Sequence, residues 1–152
     1  MKYYFEDLTK QAQLKAILDS WLGTKFRHRC GVKGKGSDCI HFVAKVFEEL
    51  GILKWRKDLI PDYPRDWHLH RTQELLMQGI LKELSVERVE ISELMNGDIV
   101  LFQYGRASAH AAIYYDERLY QSITGVGVRK IAIKEQEFRK RMTFAFRILY
   151  EY

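Results

Sequence analysis

Cys39 stands between Asp38 and the apolar run Ile40-His41-Phe42-Val43. Ile40, Val43 and Phe47 recur at helical spacing, with Phe42, Val46 and Leu50 beside them. The pattern predicts a buried helix over residues 38–50, capped by Ser37 or Asp38 and stopped by Gly51. A cysteine in a first helical turn meets unpaired backbone N–H groups and the positive end of the helix dipole, and both favour thiolate over thiol. Lys33, Lys35, Arg27 and Arg29 lie just upstream and add positive potential. The chemistry on offer is nucleophilic attack by sulfur, with Cys39 expected to alkylate far faster than Cys30. The plainer alternative is a structural cysteine, since free cysteines are usually buried.

A nucleophilic sulfur needs a base. Of the five histidines, His28, His41, His68, His70 and His110, the last opens a strand-like segment, HAAIYY, after the loop 106–109. A strand edge is a place where a scaffold can present a side chain to a cleft. Asp116-Glu117 reads as a two-residue turn that pairs Tyr115 with Arg118. Continued in register, it sets Ala112 against Gln121 and His110 against Ile123. Alternation then puts His110, Ala112, Tyr114, Leu119, Gln121 and Ile123 on one face, expected to pack on the Cys39 helix. Gln121 becomes the diagonal neighbour of His110, and its carbonyl can accept an imidazole N–H and hold the ring for proton transfer. The alternative is a polar cross-strand pair with no chemical role.

The elements that must position these groups follow from periodicity. Leu14, Ile17, Leu18, Trp21 and Leu22 predict an amphipathic helix over about 8–22, ended by Gly23. A basic, glycine-rich loop runs from Thr24 to Ser37. Both prolines, Pro61 and Pro64, fall in an irregular connection over 52–66, and a third helix is expected over about 67–84. After Asn96-Gly97 the period changes to two. Strands are expected over 98–104, 109–115, 118–123, 126–133 and 142–150, with a short helix near 135–141. Helices followed by a meandering sheet give an α+β fold: N-terminal helices on a five-stranded antiparallel sheet, in one domain spanning 1–152.

Composition agrees. The 152 residues are 47% hydrophobic and 30% charged, which excludes a disordered chain, and no stretch is apolar enough to span a membrane. The first residues carry Glu6 and Asp7 without an apolar run behind a basic cluster, so no secretory signal is expected and synthesis in the cytoplasm is. Two cysteines cannot make a disulfide-rich scaffold. The net charge of +5 permits attraction to an anionic polymer. Zinc is the main competing chemistry, because His28, Cys30, Cys39 and His41 form a mirrored H-x-C…C-x-H pattern. One-residue ligand spacing is uncommon, and a helix would turn Cys39 and His41 some ~200° apart, so no metal and no organic cofactor are expected. Nor is nucleic acid expected as a partner, although the basic loop carries Lys25, Arg27, His28, Arg29, Lys33 and Lys35; the phosphate-loop order of residues is absent.

The ordered set GTKFRHRCGVKGKGSDCIHFV, NGDIVLF and HAAIYYDERLYQS resembles the NlpC family of papain-like cell-wall cysteine peptidases. The glycine-rich loop, the DYPRDW segment and the closing RKRMTFAFRIL are most similar to its phage-tail-associated branch. The resemblance implies a pared-down papain fold, with Cys39 as nucleophile, His110 as base and Gln121 as the residue that orients it. It implies hydrolysis of peptide bonds in peptidoglycan stem peptides at the cell wall, with phage tail proteins as further partners. Phe26, Arg27, Asp38 and His41 are expected to line the substrate site. Three positions depart from the common pattern. His41 stands where glycine is frequent and would narrow the cleft. Phe26 replaces a frequent tyrosine and Gln121 a frequent histidine, and both changes would slow turnover. A virion structural or wall-binding protein on the same fold, without turnover, is the alternative.

Overall fold

A computed structural model describes residues 3–54, 77–104, 107–136 and 139–150. Helix α1 (Leu8–Trp21) is capped by Asp7, whose carboxylate accepts the N–H groups of Thr9 at 2.7 Å and Lys10 at 3.2 Å. Its buried residues are Leu14, Leu18 and Trp21, one stripe at helical spacing. Helix α2 (Cys39–Glu49) is apolar almost all round and correspondingly enclosed, with Cys39 to Ala44, Val46 and Phe47 all buried. Burying side chains of this size stabilises by ~1.5–3 kcal/mol each, so α2 is the element on which the core is built. Residues 77–83 form helix α3. The expected third helix began at 67; its first part and the DYPRDW segment lie outside the described residues, as do His68 and His70. Among the described residues no helix is long and apolar enough to cross a membrane.

The strands are β1 (Gly31–Val32), β2 (Gly36–Ser37), β3 (Val86–Val89), β4 (Ile99–Tyr104), β5 (Ala107–Tyr115), β6 (Arg118–Ile123), β7 (Gly127–Ala132) and β8 (Met142–Ile148). β1 and β2 form a small hairpin inside the basic loop. The others make one antiparallel sheet in the order β3-β8-β4-β5-β6-β7. The α+β class is therefore as the sequence predicts, but the sheet has six strands where five were expected. The additional strand is β3, an edge strand formed by pairing Val86 with Ile148 and Val89 with Ala145. The expected short helix at 135–141 is instead two single 3-10 turns, Ile133–Glu135 and Arg139–Arg141.

The β5–β6 hairpin has the expected turn, with Asp116 and Glu117 both at positive φ, and pairs Tyr115 with Arg118, Tyr114 with Leu119 and Ile113 with Tyr120. There the ladder stops, so the expected pairing of Ala112 with Gln121 and His110 with Ile123 is not formed. The facing also differs from expectation. Ala111, Ile113 and Tyr120 join the core around α2, whereas Ala112, Tyr114 and Leu119 pack with Val100, Phe102 and Ala145 on the opposite side of the sheet. The alternation was read correctly, but α2 covers the other face. Both faces of these strands are apolar, so periodicity alone does not choose between them.

Two anchors hold the sheet. Arg147 of β8 donates to both oxygens of Asp98, from Nε at 3.0 Å and Nη2 at 2.9 Å, which ties β8 to the start of β4. Tyr120 of β6 donates to Asp19 of α1 at 2.6 Å. Glycine is required twice. Gly97 lies at φ +95, and a Cβ there would strike the Phe5 ring. Gly127 lies at φ +107 against the Thr24 carbonyl, where Val128 N–H donates to Thr24 at 2.8 Å and Gly23 N–H to Val128 at 3.1 Å. Gly127→Ala should therefore be destabilised by more than Gly125→Ala, which shares a positive φ of +76 but meets nothing. The Gly125 change carries only the left-handed penalty of ~1–2 kcal/mol. Urea unfolding midpoints measure the difference; equal losses would show that the contact with Thr24 relaxes freely.

Candidate active site

Asp38 fixes the start of α2. Its Oδ1 accepts the His41 N–H at 2.7 Å, the cap of the helix. Its Oδ2 accepts the Arg29 N–H at 2.9 Å, where Arg29 takes a left-handed conformation at φ 57. His41 Nδ1 lies 2.9 Å from both oxygens. One buried carboxylate thus joins the helix to the loop before it. The Asp38 N–H donates to Cys30 O at 3.1 Å and extends the β1–β2 pairing up to the residue before Cys39.

The Cys39 sulfur points from α2 toward β5 and accepts a hydrogen bond from the Ala111 backbone N–H. Ala111 is the residue after His110 and lies just beyond the end of the β5–β6 ladder. The strands part at that point, and sulfur takes the N–H that the ladder leaves. His110 Nε2 lies 2.7 Å from Gln121 Oε1. With the Gln121 amide placed this way round its oxygen accepts, the arrangement that goes with a proton on Nε2 and a basic Nδ1. Phe102 meets the His110 ring edge to face, with centroids 5.0 Å apart. Gln121 Nε2 in turn donates to Gln136 Oε1 at 2.6 Å. The structure therefore joins His110 to Gln121 and sets the Ala111 N–H beside the Cys39 sulfur, while the His110 ring meets Phe102 of the sheet face away from α2.

The other predicted residues are placed differently. Phe26 bridges to Ser37 and meets the His28 ring edge to face at 5.1 Å. Arg27 is exposed, with its stem lying over Gly36. Asp38 and His41 are buried in the cap, and His41 packs under Gly31 rather than beside the sulfur. Among the described residues, no three His, Cys, Asp or Glu side chains gather in a way that could hold a metal ion. Lys33 is not a free cation of the loop: it pairs with Glu49 at 2.9 Å and lies over the Trp21 ring. Gln136 and the Ala111 N–H were not found from the sequence. Neither has a local signal, since Gln136 reaches Gln121 only through the fold of β7 and the turn after it.

The protonation of the sulfur reverses the expectation. Burial pushes the Cys39 thiol up to about 12, and the Asp38 charge pushes in the same direction. The hydrogen bonds from the N–H groups of Ala111, Cys39 and Ile40 pull the other way but do not compensate. Cys39 is 2% exposed, and a thiolate there would lose nearly all its hydration. Burial also holds His110 below the ordinary imidazole value, partly offset by the bond to Gln121. Both shifts favour the uncharged forms, a thiol at Cys39 and an imidazole at His110.

A helix that opens on a cysteine, packed on an antiparallel sheet that carries a histidine bonded to an amide, has the α+β fold of the papain-like class. The chain belongs to the NlpC/P60 family, whose model matches residues 23–147. It is 30% identical over 151 residues to the murein DD-endopeptidase MepS/murein LD-carboxypeptidase of Escherichia coli K12, covering 95% of this chain and 69% of that protein. Among solved structures it is similar to an NLP/P60-family, lipoprotein-like protein of Staphylococcus aureus, with TM-score 0.62 and 15% identity over 95% of this chain. It is also similar to NlpC2 of Trichomonas vaginalis, with TM-score 0.64 and 14% identity over 93% of this chain. The chain spans under half of each of those two, 43% and 47%.

The site predicts an order of thiol reactivity. With iodoacetamide near neutral pH, half-buried Cys30 should react before Cys39 in the folded protein. Asp38→Asn keeps a good cap but removes the charge, so Cys39 alkylation should rise several-fold. Peptide mass mapping over time measures both rates. An unchanged Cys39 rate in Asp38→Asn would show that burial alone holds the proton.

Proposed function

We propose that this chain is a cysteine peptidase that hydrolyses peptide bonds in bacterial peptidoglycan by acyl transfer to Cys39. The observation that carries the reading is the Ala111 N–H bond to the Cys39 sulfur, one residue from a histidine whose proton is held on the far nitrogen by Gln121. Membership of the NlpC/P60 family and the similarity to a murein endopeptidase and carboxypeptidase support both the reaction and the substrate.

Starting from a neutral pair, His110 acts as general base. Its Nδ1 takes the thiol proton as sulfur attacks the scissile carbonyl, so thiolate charge never has to persist in the buried site. Backbone N–H groups at the start of α2 meet the oxyanion. The imidazolium then gives its proton to the leaving amine, and the free Nδ1 activates water to release the acyl group. Gln121 keeps the ring in the required tautomer. The proposed setting is a virion tail acting at the cell wall, with tail proteins as partners. This rests on the resemblance of the glycine-rich loop and closing strand to the phage-tail-associated branch. Mass analysis of purified particles would find the chain there, and its absence would remove that setting.

Digestion of purified peptidoglycan with mass analysis of the products tests the reaction. Cys39→Ser and His110→Ala should each lose nearly all hydrolysis, and Gln121→Ala should lose less. The acid limb of kcat/KM reports His110 losing its proton. Because burial lowers that value, activity should persist below pH 6.5, the ordinary imidazole range, and fall only as the ring protonates. Wild-type hydrolysis by Cys39→Ser would end the cysteine mechanism. Wall binding without product from the native chain would favour a non-catalytic wall-binding protein.

A further inference from the structure

Gln121 is a long amide in the place where the ring must be oriented, and an amide is nearly symmetric in shape but not in hydrogen bonding. With Oε1 toward His110 it accepts the Nε2 proton; turned over, it would offer an N–H and drive the ring proton to Nδ1. The second tautomer cannot take a proton from sulfur at Nδ1. Gln121 is 1% exposed, so water does not compete for its ends. What distinguishes them is the group at the far end. Gln136, at the close of the 3-10 turn after β7, presents Oε1 to Gln121 Nε2 at 2.6 Å. With Gln136 held oxygen-inward, as it is here, that acceptor fits only the orientation in which Oε1 faces His110, at 2.7 Å.

We propose that Gln136 is a positioning residue: its carbonyl sets the orientation of the Gln121 amide and, through it, the His110 tautomer with a basic Nδ1. The inference rests on the reading of Cys39 and His110 as the catalytic pair. Gln136 is half-buried and lies beside an exposed turn, so substitutions there should be accommodated. A wrong tautomer in a comparable triad costs as much as ~10⁴-fold in kcat, so the effect is large enough to measure.

The test uses ¹⁵N-labelled full-length protein, with the His110 ring nitrogens read by NMR in the resting state, alongside steady-state hydrolysis of peptidoglycan fragments. Gln136→Glu keeps an acceptor, Gln136→Leu removes it, and Gln136→Lys replaces it with a donor. Native protein and Gln136→Glu should show the Nε2–H tautomer and most of kcat, with the acid limb raised in Gln136→Glu by the added charge. Gln136→Leu should show a tautomer mixture and lose about tenfold in kcat with little change in KM. Gln136→Lys should shift the ring toward Nδ1–H and lose more. An unchanged tautomer and kcat in both Gln136→Leu and Gln136→Lys would overturn the proposal. Because the tautomer is read without substrate, the two readings separate. A ring that follows residue 136 in a protein that hydrolyses nothing would uphold the orienting role and reject the peptidase.

Discussion

The N–H of Ala111 lies past the end of the β5–β6 ladder, on a residue that β4 pairs from the other side. An antiparallel ladder that ends at Ile113 and Tyr120 leaves this donor in the interior, where an unpaired N–H is costly. The Cys39 sulfur accepts it, and the rest of the site follows from that contact. The first turn of α2 must reach the sheet at this residue. The Asp38 carboxylate sets where that turn begins, and the Thr24 and Gly127 contact fixes the loop that leads into it. The strands part here, between the face that α2 covers and the face that carries His110 and Gln121.

Two opposing effects act on the sulfur, and their sizes decide the outcome. The end of a helix contributes ~0.3–2 kcal/mol, about one pKa unit in favour of thiolate. Full burial can shift an ionisable group by as much as ~3–5 units against its charged form. The neighbouring Asp38 charge adds to burial rather than to the dipole, although the same residue supplies the cap that places the sulfur. Helix capping and thiolate stabilisation are thus in conflict at Asp38.

Local chemistry in the sequence was sufficient for much of this. The cap at Asp38, the turn at Asp116-Glu117 and the pairing of His110 with Gln121 all follow from short-range rules, and the structure contains them. What was not legible depends on long-range packing. β3 is four residues, Val-Glu-Arg-Val, without clean alternation, and exists because β8 offers an edge. The sheet face that receives α2 could not be chosen while Ala111 and Ala112 offered equally apolar sides. The Gly97-Asp98 pair served as a family marker in the sequence, whereas in the fold it anchors the sheet through Phe5 and Arg147. A rule for helix ends favours a thiolate at Cys39 but says nothing of how deep the end is buried, and burial pushes the thiol the other way.

The depth of that sulfur also governs its durability. Peroxides oxidise thiolates far faster than thiols, and the first product, a sulfenic acid, needs room and water around it. Cys39 is held protonated, bonded to a backbone N–H and almost wholly enclosed, so it meets neither condition at rest. A thiol kept in this form is shielded from peroxide. The half-buried Cys30 is then the sulfur on which oxidation falls first.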